Sequence, residues 1–265
     1  MSGGARAWAW LRHHALPIYA ALAVAYMLVP IVVVAVFSFG EAPKDKLTFG
    51  LDNGFTLEYW ETVFSQPELN DSLLTSVRLA AFSTLISTAI GTLMAIALVR
   101  HRFVGQRAAN LLIVIPMATP EVVIGASLLS MFIYYSFALG FTTLLLAHVM
   151  FSISFVVVVV RSRLIGFDRH LEEAAADLGA TPLAAFRTVT LPLLAPGVIA
   201  AALLAFALSI DDFVISNFNS GTTVTFPLYV YGVSLRGIPV QVNALATLLF
   251  LVAVIAVALV LIQQR

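Results

Sequence analysis

Three carboxylates stand in stretches of this sequence that are otherwise almost wholly apolar: Glu121, directly after Pro120 in the run I-P-M-A-T-P-E-V-V-I-G, and the adjacent pair Asp211-Asp212 in L-S-I-D-D-F-V. An ionised side chain at the middle of a hydrocarbon-embedded helix costs at least about 2.5 kcal/mol, so such groups face a cavity, a partner or a pathway rather than lipid. Consecutive helical residues diverge by about 100°, so Asp211 and Asp212 cannot both point at one spot unless the helix unwinds. One of them is expected to line a pathway while the other pairs or caps. Glu121 is open to two roles. It can meet a cationic solute, or it can complement the orphan backbone donors of a half-helix that begins after Pro120. The rings Tyr134, Tyr135, Phe137, Phe213 and Phe218 can offer cation–π faces to a bound amine, Tyr135 and Phe213 foremost, although rings in apolar helices more often face lipid or core. Arg78, in another apolar run, reads as a side chain that snorkels outward.

A second polar group lies in Arg161 to Pro192, R-S-R-L-I-G-F-D-R-H-L-E-E-A-A-A-D-L-G-A-T-P-L-A-A-F-R-T-V-T-L-P, which carries four arginines and four acids. That charge keeps it out of hydrocarbon. Asp168 suits an N-cap, Glu172 and Glu173 fall in the first turn where the helix dipole favours acids, and Gly179 suits a left-handed C-terminal cap. Thr181-Pro182 then reads as N-cap and first residue of a second short helix, closed at Leu191-Pro192. The expectation is a compact elbow whose small residues Ala174, Ala175, Ala176 and Ala180 let a partner's backbone come close.

Other chemistries are absent. The chain has no G-x-x-x-x-G-K-[ST] phosphate loop, and its only lysines are Lys44 and Lys46. The five histidines, His13, His14, His101, His148 and His170, include no H-E-x-x-H pair, so no metal site is expected; His148 reads as a buried hydrogen-bonding residue. There is no cysteine, which removes disulfides, thiolate metal sites and a thiol nucleophile. Net charge is zero with no basic cluster, so nucleic acid is not an expected partner.

The elements that must position these groups are membrane helices. Of 265 residues 61% are hydrophobic and 11% charged, with mean hydropathy +1.00. The fold class is all-α: a polytopic membrane protein, one transmembrane domain over residues 1–265, with six spans near Ile18 to Phe39, Leu73 to Val99, Leu111 to Phe137, Thr142 to Val160, Ala195 to Val214 and Val242 to Ile262. The first is read as a retained anchor because no small-residue cleavage pattern follows it. Pro116 and Pro120 are expected to interrupt the third, which places irregular backbone at membrane depth, where transport sites are often built. Arginine placement orients the bundle. With the N-terminus inside, the cytoplasmic side receives Arg6, Arg12, Arg100, Arg102, Arg107, Arg161, Arg163, Arg169, Arg187 and Arg265, and the outside only Lys44, Lys46 and Arg236. Both termini and the elbow are then cytoplasmic. The loop from Gly40 to Asp71 lies outside with Glu41, Asp45, Asp52, Glu58, Glu61, Glu68 and Asp71, a negative face able to steer a cation or a partner.

Glu173-Ala174-Ala175, three residues, Gly179, nine residues, then Val189-x-Leu191-Pro192 resembles the signature of permease subunits of binding-protein-dependent ABC importers, with valine where that family has isoleucine. The resemblance implies the type I importer permease fold and a docking role for Leu171 to Leu178 on a separate ATP-hydrolysing subunit, with Glu172, Glu173, Ala174, Ala175, Asp177, Gly179, Leu191 and Pro192 as the coupling residues. This chain itself would then be no enzyme and bind no cofactor, ATP being held by a dimer of that partner. It further implies a bacterial inner membrane location, a second homologous permease and an extracytoplasmic substrate-binding protein. The stretches I-D-D-F-V-I-S-N-F, F-P-L-Y-V-Y, V-N-A-L-A-T-L, M-A-T-P-E-V-V-I-G-A-S-L-L and L-L-L-A-H-V are similar to the polyamine (spermidine and putrescine) permeases, which implies a linear polycation as solute. The competing reading is a stand-alone ion-coupled carrier with the same acids as a relay; a cytoplasmic docking signature has no use in such a carrier. An intramembrane hydrolase needs aspartates converging from separate helices, which an adjacent pair does not supply.

Overall fold

A computed structural model describes residues 3–40, 54–168, 170–235, 237 and 239–263. The expected external charges Glu41, Lys44, Asp45, Lys46 and Asp52, and Arg169, Arg236 and Arg265, lie outside those residues. The described chain is helical, with one isolated antiparallel bridge, Gly40 to Phe55, among them. It forms two compact units, Met1–Pro67 with Gly232–Arg265, and Glu68–Tyr231.

In the first unit, α1 (Gly3–Phe37) packs on α12 (Val240–Gln263), which also meets the short α2 (Glu58–Glu61). From residue 14 onward α1 is exposed nearly throughout, including Leu22, Tyr26 and Val32. An apolar surface of this kind is stable only against lipid or another protein. Beyond its end Phe39 stacks on Phe55 and on Trp60, each at 5.1 Å, which brings residues 39, 55 and 60 together. Glu58, Glu61, Glu68 and Asp71, the described acids of the negative loop, are all exposed.

The second unit is built around α6 (Phe141–Ile165), whose buried residues feed two cores. One joins Ala95 and Leu98 of α3 (Pro67–Arg100), Ile113 of α4 (Gln106–Ala118), Val156, Val157 and Val160 of α6, and Ala201 and Ala205 of α9 (Leu191–Ile210). The other joins Ile124, Leu128 and Phe132 of α5 (Glu121–Tyr134) with Ala147 and Phe151 of α6 and Ile215 of α10 (Val214–Asn219). Where no hydrophobic force separates helix from lipid, close approach of small residues supplies the packing. Gly91 of α3 shows it: an added Cβ would lie 2.6 Å from Val156 Cγ1.

Among the described residues four helices are long and apolar enough to cross a membrane, at residues 14–37, 67–100, 141–165 and 182–210, and a fifth crossing counts if the bent pair α4–α5 is one span. The last expected span, Val242 to Ile262, falls in α12, of which Val240–Ile255 counts as a shorter apolar helix, so the described residues give four or five crossings where six are expected. Two sequence expectations are corrected. Pro116 does not interrupt its helix, which runs on to Ala118; the break comes at Thr119-Pro120, where the axis turns by 110°. The extended backbone at Thr119 (ψ 134°) is the conformation a following proline imposes. Leu191-Pro192 does not close the elbow's second helix either. α8 (Pro182–Ala185) passes through a π-helical turn, Phe186–Thr190, directly into α9, so the elbow and the fifth apolar segment share one continuous rod, Pro182–Ile210. Pro192 lacks the N–H that an α-helix would use, and the wider turn just before it accommodates that loss.

Candidate functional site

The sequence-selected acids sit at the two helix breaks of the second unit. Glu121 is exposed in the first turn of α5 and makes no side-chain cap, so the dipole complement expected of it is not accompanied by a hydrogen bond to an orphan N–H. At the other break α9 ends at Ile210, residues 211–213 leave the α-helix, and α10 begins at Val214. The unwinding separates the two aspartates. Asp212 turns inward: Oδ1 accepts from Ile215 N at 3.3 Å and Oδ2 from Ser216 N at 2.8 Å, so its carboxylate caps α10. Oδ2 also lies 3.4 Å from His148 Nε2, with both side chains nearly inaccessible. Asp211 is exposed, and no ion pair holds it among the described residues. Of the two aspartates, one expected to line a pathway and the other to pair or cap, Asp212 is the one that caps, and Asp211 is the one left exposed.

The two breaks are joined by packing. Gly125, in the second turn of α5, lies under Phe218, whose ring would come within 2.7 Å of a Cβ there, and Asn219 Nδ2 donates to Gly125 O at 3.3 Å and to Ile215 O at 2.9 Å. Thr143 Oγ1 of α6 donates to Asn219 O at 2.8 Å. Of the candidate rings, Phe213 adjoins the aspartates and meets Tyr231 of α11 (Phe226–Ser234), centroids 4.8 Å apart. Phe218 covers Gly125, and Phe137 packs edge-on against the buried Phe132 at 5.9 Å. Tyr135, in T-shaped contact with Tyr134 at 5.1 Å, follows the last turn of α5. At 1.5 Å rise per residue that is about 21 Å along the axis from Glu121, so those two do not share one binding point. Arg78 is exposed on α3. Sequence reasoning missed Tyr231, and it missed Ser209 and Ser216, which contact His148, and Ser83, which bonds Ser209. The serine spacing on α3, with Ser72, Ser76, Ser83 and Ser87 all buried, is the signal that marked a polar inner face.

The elbow forms as its residues dictate. Asp168 Oδ1 accepts from His170 N at 3.0 Å at the start of α7 (His170–Asp177) and lies 2.6 Å from His170 Nδ1. Donation from the His170 backbone and ring holds the Asp168 carboxyl below its ordinary range, and the same contact raises the His170 imidazole. At the other end Gly179 has φ +86°, Gly179 N donates to Ala176 O at 2.8 Å and Ala180 N to Ala175 O at 3.0 Å. Those two bonds are the Schellman pair, which needs the left-handed residue that glycine supplies. Thr181 Oγ1 then caps α8 by accepting from Ala184 N at 3.3 Å.

The predicted docking residues divide by direction. Glu172 points into the protein, bonded to Arg100 at the last turn of α3 and to Thr190 Oγ1 in the π turn, with Arg100 also 5.5 Å over the Phe167 ring. Glu173, Ala174, Asp177 and Gly179 are exposed, Ala175 is half-buried, and Leu178, 90% exposed, is the most prominent apolar side chain of the elbow. Leu191 and Pro192 are exposed on the continuous rod. The arrangement presents a short helix with an outward apolar and acidic face, clamped from behind to two spans.

Comparison with known proteins places this geometry. Residues 87–265 match the family described as "Binding-protein-dependent transport system inner membrane component". The spermidine/putrescine transport system permease protein PotC of Haemophilus influenzae is 39% identical over 242 residues, 91% of each chain, and that of Escherichia coli K12 is 38% identical over 235 residues, 88% of this chain and 87% of the other. The putrescine transport system permease protein PotI of Escherichia coli K12 is 36% identical over 232 residues, 84% of this chain and 81% of the other. Among solved structures, a chain of a bacterial ABC transporter that imports the acidic polysaccharide alginate superimposes with TM-score 0.66 at 18% identity, covering 100% of this chain and 98% of that one. A chain of an amino acid ABC transporter gives TM-score 0.58 at 17% identity, covering 78% of this chain and 97% of that one. The shared architecture is the type I ABC importer permease fold.

Proposed function

Because this chain belongs to the family of binding-protein-dependent transport system inner membrane components, we propose that it forms half of the translocation pathway of an ATP-driven importer for a polyamine such as spermidine or putrescine. It lies in the bacterial inner membrane as a multi-pass subunit, with both termini and the elbow on the cytoplasmic side. A second, homologous permease completes the pathway, an extracytoplasmic binding protein delivers the solute, and a dimer of ATP-hydrolysing subunits grips the elbow through Glu173, Ala174, Asp177 and Leu178. This chain does no bond chemistry of its own.

One observation carries the solute class. Asp211 stands exposed at an unwound turn of an apolar helix, with no ion pair among the described residues, while Asp212 beside it is committed to a cap. An acid left in that position is stabilised by a cation passing it. Glu121 at the second break and the ring of Phe213, backed by Tyr231, supply a second charge and a π face for a linear polyamine. Relatives named for spermidine and putrescine at 36 to 39% identity support the same class.

The test is ATP-dependent uptake of labelled spermidine and putrescine by the assembled complex in proteoliposomes. Asp211→Asn is expected to lower uptake at limiting solute while leaving assembly intact. Transport of an uncharged solute in place of either amine, or unchanged uptake in Asp211→Asn, overturns the reading.

A further inference from the structure

His148 is buried eight residues into α6, at 2% exposure, and nothing in the transport scheme so far uses it. Its Nδ1 lies 2.7 Å from Ser209 Oγ on α9, and its Nε2 lies 3.0 Å from Ser216 Oγ and 3.4 Å from Asp212 Oδ2. Ser209 is in turn 3.0 Å from Ser83 Oγ on α3. One imidazole thus links α3, α6, α9 and α10 at the level where the fifth apolar segment breaks. Hydrogens can be placed so that Ser83 O–H donates to Ser209 Oγ, Ser209 O–H to Nδ1, and Nε2–H faces Ser216 Oγ at 3.0 Å with the Asp212 carboxylate next at 3.4 Å.

The consequence is geometric. Between Ile210 and Val214 the backbone has left the helix, and the side-chain bonds that fix it among the described residues are those of Asp212. With Asp212 held inward by His148 and by two α10 amides, its neighbour Asp211 is forced to the other side. We infer that His148 is a positioning residue for translocation: it holds Asp212 in place as the cap of α10 and thereby fixes the unwound turn that presents Asp211 to the solute. His148 itself does not touch the solute. This inference rests on the permease reading above.

The test compares two polar replacements in the assembled, reconstituted complex with spermidine as the probe. His148→Gln sets an amide N–H where Nε2 stood and keeps a donor facing Ser216 Oγ and Asp212 Oδ2; His148→Asn reaches only the Nδ1 position and keeps the Ser209 contact alone. Spermidine imported per ATP hydrolysed is expected to stay close to wild type for Gln and to fall about tenfold for Asn, the scale of losing one buried hydrogen bond. The Asn loss should vanish in an Asp211→Asn background, where there is no acid left to position, and persist in a Glu121→Gln background. Equal behaviour of Gln and Asn at any level, an additive loss with Asp211→Asn, or failure of the Gln complex to assemble overturns the inference and leaves His148 a packing residue. A wild-type complex that moves no spermidine overturns the function reading instead.

Discussion

Replacing Glu172 with alanine should uncouple ATP hydrolysis from import, because Glu172 is where the elbow is fastened to the spans. Its carboxylate bonds Arg100 on α3 and Thr190 in the π turn. The Arg100 and Glu172 side chains are 18% and 21% exposed, between a surface pair, worth at most about 1 kcal/mol, and a buried one, whose breaking costs about 3–5 kcal/mol. About 2 kcal/mol is the reasonable share for this pair. Thr190 is 2% exposed, and stranding its hydroxyl adds about 1 kcal/mol. The attachment is then worth about 3 kcal/mol, a factor of roughly 150 in the population of the fastened elbow. The assay is solute imported per ATP hydrolysed by the reconstituted complex. Glu172→Ala should lower that ratio at least about tenfold, and a cycle with Arg100→Ala should return about 2 kcal/mol of coupling. An unchanged ratio, or additive losses, refutes the claim that this clamp carries the motion.

Other outcomes follow from local geometry. Gly179→Ala meets no atom within 4 Å but must hold φ near +86°, so it should weaken the elbow by about 1–2 kcal/mol, read as a 5- to 30-fold weaker hold on the ATP-hydrolysing partner, with Gly179→Asn milder. Gly91→Ala forces a methyl to 2.6 Å from Val156 Cγ1 and should lower the melting temperature of the purified protein, an overpacking cost of about 1–3 kcal/mol, with Val156→Ala restoring part of it. His170 should titrate above its ordinary value of 6.5, because Asp168 stabilises its charged form, and Asp168→Asn should return it toward 6.5 in an NMR titration. Since the imidazole's folded value is raised and the carboxyl's lowered, the pair's support for the elbow is complete between the ordinary values of 3.8 and 6.5, and is lost as pH rises through the folded histidine value or falls through the folded aspartate value.

The elbow was legible almost residue by residue, since caps are local: Asp168, Gly179 and Thr181 each act within four positions of themselves. Its end was not. Leu191-Pro192 reads as a stop because proline lacks an N–H, and whether a wider turn precedes it depends on packing that no short-range rule contains. Pro116 misled for the same reason, while Pro120 broke its helix where the pre-proline rule says it should. The acids were found because charge in an apolar run is rare. The partners of Asp212 were not, because His148 lies 64 positions away and only the fold brings α6 against α10. Glu172 and Glu173 look alike in sequence; the structure turns one toward Arg100 and leaves the other exposed.

The central claim is that the elbow stands in the cytoplasm and is the surface an ATP-hydrolysing partner grips. The chain has no cysteine, so Leu178→Cys introduces a unique thiol at its most prominent exposed position. A membrane-impermeant maleimide should label it in inside-out vesicles and not in right-side-out ones, and the ATP-hydrolysing subunit should block that labelling. Labelling from the outer face, or labelling at the same rate with and without the partner, contradicts the account.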